Sequence, residues 1–133
     1  MKLDVTPLGK PRMTQRNKWY TPPDLARYWS YANELKLLLP HYELGDELTI
    51  EFYLPMPKSW SKKKQAEKIG TYHDQKPDID NLVKGFMDAL KSDINDDKRV
   101  AVLYCKKYWA DKGALKLPNY AISKQKKSSG LPF

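Results

Sequence analysis

A single cysteine, Cys105, leaves no partner for an intrachain disulfide and rules out a cysteine-built zinc cluster. The two histidines, His41 and His73, stand apart from each other, and neither is assigned a ligand role. The six glycines are scattered and never form a glycine-rich phosphate loop, which argues against a nucleotide-handling enzyme. No apolar run approaches the length needed to span a bilayer, and the opening residues lack the apolar core of a signal peptide. The expectation is a soluble, cytoplasmic chain with no membrane partner and no small-molecule cofactor. Acidic residues are also in short supply: 16 against 24 lysines and arginines, a net charge of +8. That imbalance favours a polyanionic partner.

What is present suits one folded unit. The 133 residues and 41% hydrophobic content are enough to bury a core. Residues 1–122 read as a single domain, and the basic, Ser/Gly-containing stretch 123–133 as a loose tail. Residues 2–6 alternate weakly, as a short strand does. Thr21, Pro22 and Pro23 form a helix start. Leu25, Tyr28, Trp29, Ala32, Leu35, Leu38 and Leu39 then recur at helical spacing until Pro40, which predicts a helix over about 22–39. Leu48, Ile50, Phe52 and Leu54 alternate as a strand. Residues 58–75 read as a basic, exposed excursion, partly helical over 60–69. From Asp80 the period turns helical again, with Leu82, Val83, Phe86, Met87 and Leu90 on the apolar face and Asn81, Lys84 and Asp88 on the polar one. Val100, Val102 and Tyr104 form a strand that is expected to pair as a hairpin with residues 114–120 through a turn at Lys112-Gly113. Of the tryptophans, Trp19, Trp29 and Trp109 are expected in or near the core. The order of elements predicts an α+β fold, with helices packed on one mixed β-sheet.

The acids that do occur are clustered. Asp78 and Asp80 lie two apart, the spacing that puts side chains on one side of an extended segment. Asp96 or Asp97 can fold back to join them. Hard carboxylate oxygens of this kind suit magnesium, which keeps several of its own waters and needs few protein ligands. A helix beginning near Asp80 offers free backbone N–H groups and a positive dipole end to a phosphate. Lys84 sits one turn further on, able to offset negative charge on a phosphorus centre. Carboxylates gathered in a cationic chain fit a divalent ion held beside a polyanion, and so metal-dependent hydrolysis of a nucleic acid. Two plainer readings stand beside it. Asp80 can be a helix cap, and Lys84 and Asp88 can be a surface ion pair.

The string Lys76-Pro77-Asp78-Ile79-Asp80-Asn81-Leu82-Val83-Lys84, followed by Asp88-Ala89-Leu90, then Asp96-Asp97 and Val100, resembles the signature of the RusA family of Holliday-junction resolvases. Pro55-Met56-Pro57-Lys58-Ser59-Trp60-Ser61-Lys62-Lys63-Lys64 is similar to the family's basic loop, and Gly9-Lys10-Pro11-Arg12-Met13 to its N-terminal basic element. The resemblance covers roughly residues 1–120. It implies a RusA-like fold and a homodimeric endonuclease, often carried by prophages. It implies paired, magnesium-dependent cuts in four-way DNA junctions during recombination and repair, with manganese able to substitute. By position it implies Asp78, Asp80 and Asp97 as metal ligands, and Lys84 as a catalytic lysine. Asp97 is preferred over Asp96 as the second acid of its pair.

Basic residues flank this string. Lys10, Arg12 and Arg16 form one group, and Lys58, Lys62, Lys63, Lys64 and Lys76 another, with Trp60 among them as a candidate stacking side chain. All are assigned to DNA contact. The alternative function is a non-catalytic, basic nucleic-acid-binding protein whose acids only cap and turn the chain.

Overall fold

The computed structural model describes residues 1–11, 23–91 and 97–118, with the side chain of Asp97 left out. The elements in chain order are β1 (Lys2–Leu3), α1 (Pro23–Leu38), β2 (Glu47–Pro55), α2 (Lys62–Lys68), α3 (Ile79–Ala89), a 3-10 turn (Asp97–Arg99), β3 (Val102–Ala110) and β4 (Ala114–Lys116). They form a four-stranded mixed sheet in the order β1-β4-β2-β3, with β2 and β3 parallel and the other neighbours antiparallel. This is the expected α+β arrangement of helices on one mixed sheet.

β2 takes the centre because it has the strictest alternation. Leu48, Ile50, Phe52 and Leu54 all point into the core, and Thr49, Glu51 and Tyr53 point the other way. The inward row shares one cluster with Tyr28, Tyr31, Ala32 and Leu35 of α1 and Leu82, Val83, Phe86 and Ala89 of α3. Burial of each such large apolar side chain is worth about 1.5–3 kcal/mol. α1 and α3 are locked together by the Tyr28 hydroxyl, which donates to the Gly85 carbonyl at 2.8 Å. Burial, and then the nearby Asp88 charge, pushes the Tyr28 hydroxyl up to about 12, so it stays a donor at any ordinary pH. Gly85 itself permits the approach of the N-terminal segment, since a Cβ there would lie 2.8 Å from the Leu8 carbonyl oxygen.

The expected hairpin between the last two strands does not form. β3 and β4 lie on opposite sides of β2, which pairs Tyr53 with both Tyr108 and Ala114. The connection at 111–113 therefore steps over the end of β2, where the Met56 N–H donates to the Ala110 carbonyl at 3.0 Å. Gly113 makes the crossing possible, because a Cβ would fall within 2.4 Å of Thr6 Oγ1. The phase of β3 also differs from its apolar pattern: Leu103, Cys105, Lys107 and Trp109 share a face with the inward row of β2, and Val102 and Tyr104 face outward.

The helix expected over 22–39 is α1, and its cap at Thr21 lies outside the described residues. Its buried stripe uses Tyr31 in place of Trp29, which is 45% exposed, and Leu38 is exposed as well. Positions 29 and 31 flank the line through 25, 28, 32 and 35 on opposite sides at equal angles, and the core lies on the side of 31. Trp109 is buried as expected, and Trp19 lies outside the described residues. β1 is shorter than 2–6 because the chain turns at Leu3, whose carbonyl accepts from Val5 N–H, and Pro7 has no N–H to donate. The tail beyond Pro118 lies outside the described residues. Among the described residues, no helix is long and apolar enough to cross a membrane.

Candidate nucleic-acid-cleaving site

The site residues arrive on one stretch between β2 and β3. Helix α3 begins at Ile79, so Asp78 and Asp80 straddle a helix boundary instead of sharing an extended segment. Asp78 occupies the N-cap position with extended backbone (φ −65°, ψ 150°), yet its carboxylate makes no capping hydrogen bond. Asp80 lies in the first turn, and its Oδ1 accepts from the Asn81 N–H at 2.9 Å. Both are exposed. The cap reading thus belongs by position to Asp78, and even there the carboxylate oxygens remain available. Lys84 follows Asp80 by four residues and is also exposed, so the two project from neighbouring turns on the solvent side of α3. Asp88 does not pair with Lys84: it binds Lys10 Nζ at 2.6 Å, tying the N-terminal basic segment to the far end of α3.

The approach to Asp78 is clamped by a lysine that the sequence pattern did not single out. Lys107 sits on the inward register of β3, and its Nζ donates to the carbonyls of Gln75 (2.6 Å) and Pro77 (2.9 Å). The Lys76-Pro77 peptide is cis. The one available signal was a lysine at an inward position between Cys105 and Trp109. Next to it His73 is buried, its ring centroid 4.0 Å from that of Trp109, and its backbone N–H bonds to the Lys107 carbonyl at 2.9 Å. Burial, and then the Lys107 charge, lowers the His73 pKa below its usual 6.5. The folded state therefore prefers the neutral ring. His73 contributes stability that is whole above about 6.5 and declines as pH falls toward the depressed folded value. The expected result is a steeper loss of melting temperature on acidification across that window for the native chain than for His73→Gln. Parallel pH profiles would rule out His73 as the cause.

Of the basic residues assigned to DNA, Lys58, Lys62, Lys63, Lys64 and Lys76 are exposed. Helix α2 carries three of them and buries nothing; it starts at Ser61, whose hydroxyl accepts from the Lys64 N–H at 3.1 Å. Trp60 is half-buried. Its ring packs 4.7 Å from Trp109, with Lys64 Nζ 4.3 Å above it, so it fastens the basic excursion to β3. Lys10 is engaged by Asp88, while Arg12 and Arg16 lie outside the described residues. The backbone of Asp97 opens the 3-10 turn that leads into β3; its side chain and the whole of Asp96 are likewise outside. Among the described residues, no three acidic, histidine or cysteine side chains gather as a metal cluster. What is described is a pair of exposed carboxylates at a helix start, Asp78 without a capping bond and Asp80 with one oxygen on the Asn81 N–H, with a lysine one turn on and a lysine-coated helix in the same connection. Two hard-oxygen ligands in that setting fit magnesium, which completes its shell with water.

The family model described as "Endodeoxyribonuclease RusA" matches residues 3–117. The chain belongs to this RusA endodeoxyribonuclease family, and the match runs from the end of β1 through β4. A similar chain is "Uncharacterized protein YqaN" of Bacillus subtilis (strain 168), 33% identical over 114 residues, covering 77% of this chain and 80% of that one. No solved structure matches.

Proposed function

We propose that the protein is a magnesium-dependent endonuclease that resolves four-way DNA junctions by paired phosphodiester hydrolysis, in recombination and repair. Membership in an endodeoxyribonuclease family supports the nuclease class. The observation that carries the finer reading is the exposed Asp78, Asp80 and Lys84 constellation at the start of α3, whose carboxylates no cap consumes.

Asp78 and Asp80, joined by Asp97, hold the cation, and manganese can replace magnesium there. The bound ion supplies an activated water and charge neutralisation at the phosphate. The N–H groups of Ile79 and Asp80 at the start of α3 orient a phosphate oxygen, and Lys84 offsets the charge that builds on it as the bond breaks. Lys107 acts on the reaction only through the backbone it holds.

Lys58, Lys62, Lys63, Lys64 and Lys76 grip the phosphate backbone without reading bases, which suits selection by branched shape. Paired cuts require two copies. The start of edge strand β3, with Val102 and Leu103 exposed on its two faces, is the edge that a second copy would cover. Lys62→Ala combined with Lys63→Ala is expected to weaken binding to junction, duplex and flap alike. The plot of log affinity against log salt should flatten by roughly 0.9 for each phosphate that is no longer neutralised. An unchanged slope in a filter-binding titration would remove α2 from the DNA surface. The decisive experiment for the whole reading incubates the protein with a labelled junction, a linear duplex and a flap, with and without magnesium. Junction-selective, metal-dependent cutting supports it; binding without cutting favours the passive binder.

A further inference from the structure

The face of the sheet turned away from the helices carries an aromatic stack that neither the core nor the proposed metal site uses. The strand registers place Tyr53 beside Tyr108, and an antiparallel bridge places Tyr108 beside Tyr72. The three rings stand side by side. Tyr53 and Tyr108 are stacked with centroids 5.4 Å apart and planes 20° apart, and Tyr72 and Tyr108 with centroids 5.5 Å and planes 27° apart. The Tyr53 hydroxyl donates to Glu51 Oε1 at 2.7 Å, which fixes the inner end. Inside such a stack each ring covers its neighbour, so the free π-face is that of the terminal ring. Tyr72 is that ring at the sheet edge, and it is 68% exposed.

A row of charge runs beside the stack, one pleat along the sheet. The registers align Lys2, Lys116, Glu51 and Lys106 across four strands, and Glu51 is engaged by Tyr53. The face therefore presents cations next to an open aromatic surface. Two copies laid face to face would oppose lysine rows to each other, so charge complementarity selects a polyanion. A polyanion that also offers flat rings is a nucleic acid with unpaired bases. In sequence Tyr72 lies between the lysine-rich α2 and Asp78, and the bridge to Tyr108 puts it beside the strand whose Lys107 clamps the approach to Asp78.

We propose that Tyr72 is a seat for an unpaired nucleobase, which adds to the stack as its fourth ring while Lys106 takes an adjoining phosphate. This deepens the junction reading by assigning a surface to the unstacked bases at a branch, and it is separable from cleavage. The test uses a short labelled oligothymidylate and a linear duplex, titrated in EDTA against the full chain and read by fluorescence anisotropy. Tyr72→Ala should weaken single-strand binding by about tenfold, the scale of one lost base–aromatic stack, and leave duplex binding unchanged. Tyr72→Phe, which keeps the ring, should restore native affinity. Photocrosslinking of an iodouracil-substituted strand to the unmutated protein should mark Tyr72, a readout independent of how the variants fold. Native single-strand affinity in Tyr72→Ala, an equal loss on duplex, a change from dimer to monomer in sedimentation, or crosslinks only at other residues would each overturn the assignment. Failure of the native chain to cut any junction would end the resolvase reading and leave these binding results as they stand.

Discussion

Asp80→Asn is expected to abolish junction cutting in magnesium while the protein still folds and still binds. The substitution keeps the side chain's shape and the amide oxygen that accepts from the Asn81 N–H, so the first turn of α3 is preserved. What it removes is a negative charge and a hard ligand. Loss of one preorganised electrostatic group costs about 10²–10³ in turnover, and loss of a metal ligand should cost no less. Binding measured in EDTA should be equal or tighter, because one repulsion against phosphate has gone. The measurement is single-turnover cleavage of a labelled synthetic junction with a binding isotherm on the same preparation. A native rate in the variant would remove Asp80 from the chemistry. A matching loss of binding would mean that it serves the fold instead.

The largest effect on stability is expected from Phe86→Ala. Phe86 is fully buried, and its ring meets Tyr42 edge-on with centroids 6.1 Å apart. It lies on α3 two residues past Lys84, among Leu82, Val83 and Ala89, where α3 faces α1 and the inward row of β2. Truncating such a ring costs about 3–5 kcal/mol, since the lost burial is joined by the cavity left behind. A domain of this size has about 5–15 kcal/mol in total. A large fall in the urea midpoint should therefore appear, with junction cutting lost at temperatures the native chain tolerates. An unchanged midpoint would show that the α3 interface can collapse around the gap.

Where local rules and burial coincide, the sequence was readable. α1, β2 and α3 lie almost where periodicity places them, because each carries its own apolar line: Leu25 to Leu35, Leu48 to Leu54, Leu82 to Ala89. Asp78, Asp80 and Lys84 stood out for a different reason, the specificity of one short string, and their part in cleavage is what the Asp80→Asn experiment tests. Partner choice among strands was not. Whether β4 pairs with β3 or with β2 depends on which strand wins the centre, and neither β3 nor β4 encodes that. Lys107 escaped notice because its role is to bond the carbonyls of Gln75 and Pro77, and a carbonyl leaves no trace in a side-chain pattern. Trp29 was misplaced by a single step around α1. Tyr72, Tyr108 and Tyr53 are distant in sequence and become one surface only when the register of β2 and β3 is fixed.

Lys107 also has a bearing on what a shortened chain would lose. It is the fastener for a segment about thirty residues upstream, and it sits on β3, which follows that segment in the chain. A nascent or truncated chain that stops short of it already contains Asp78, Asp80 and Lys84, but the backbone that aims Asp78 is untethered. A truncation before β3 would therefore keep all three side chains and lose the anchor of the turn that leads into α3.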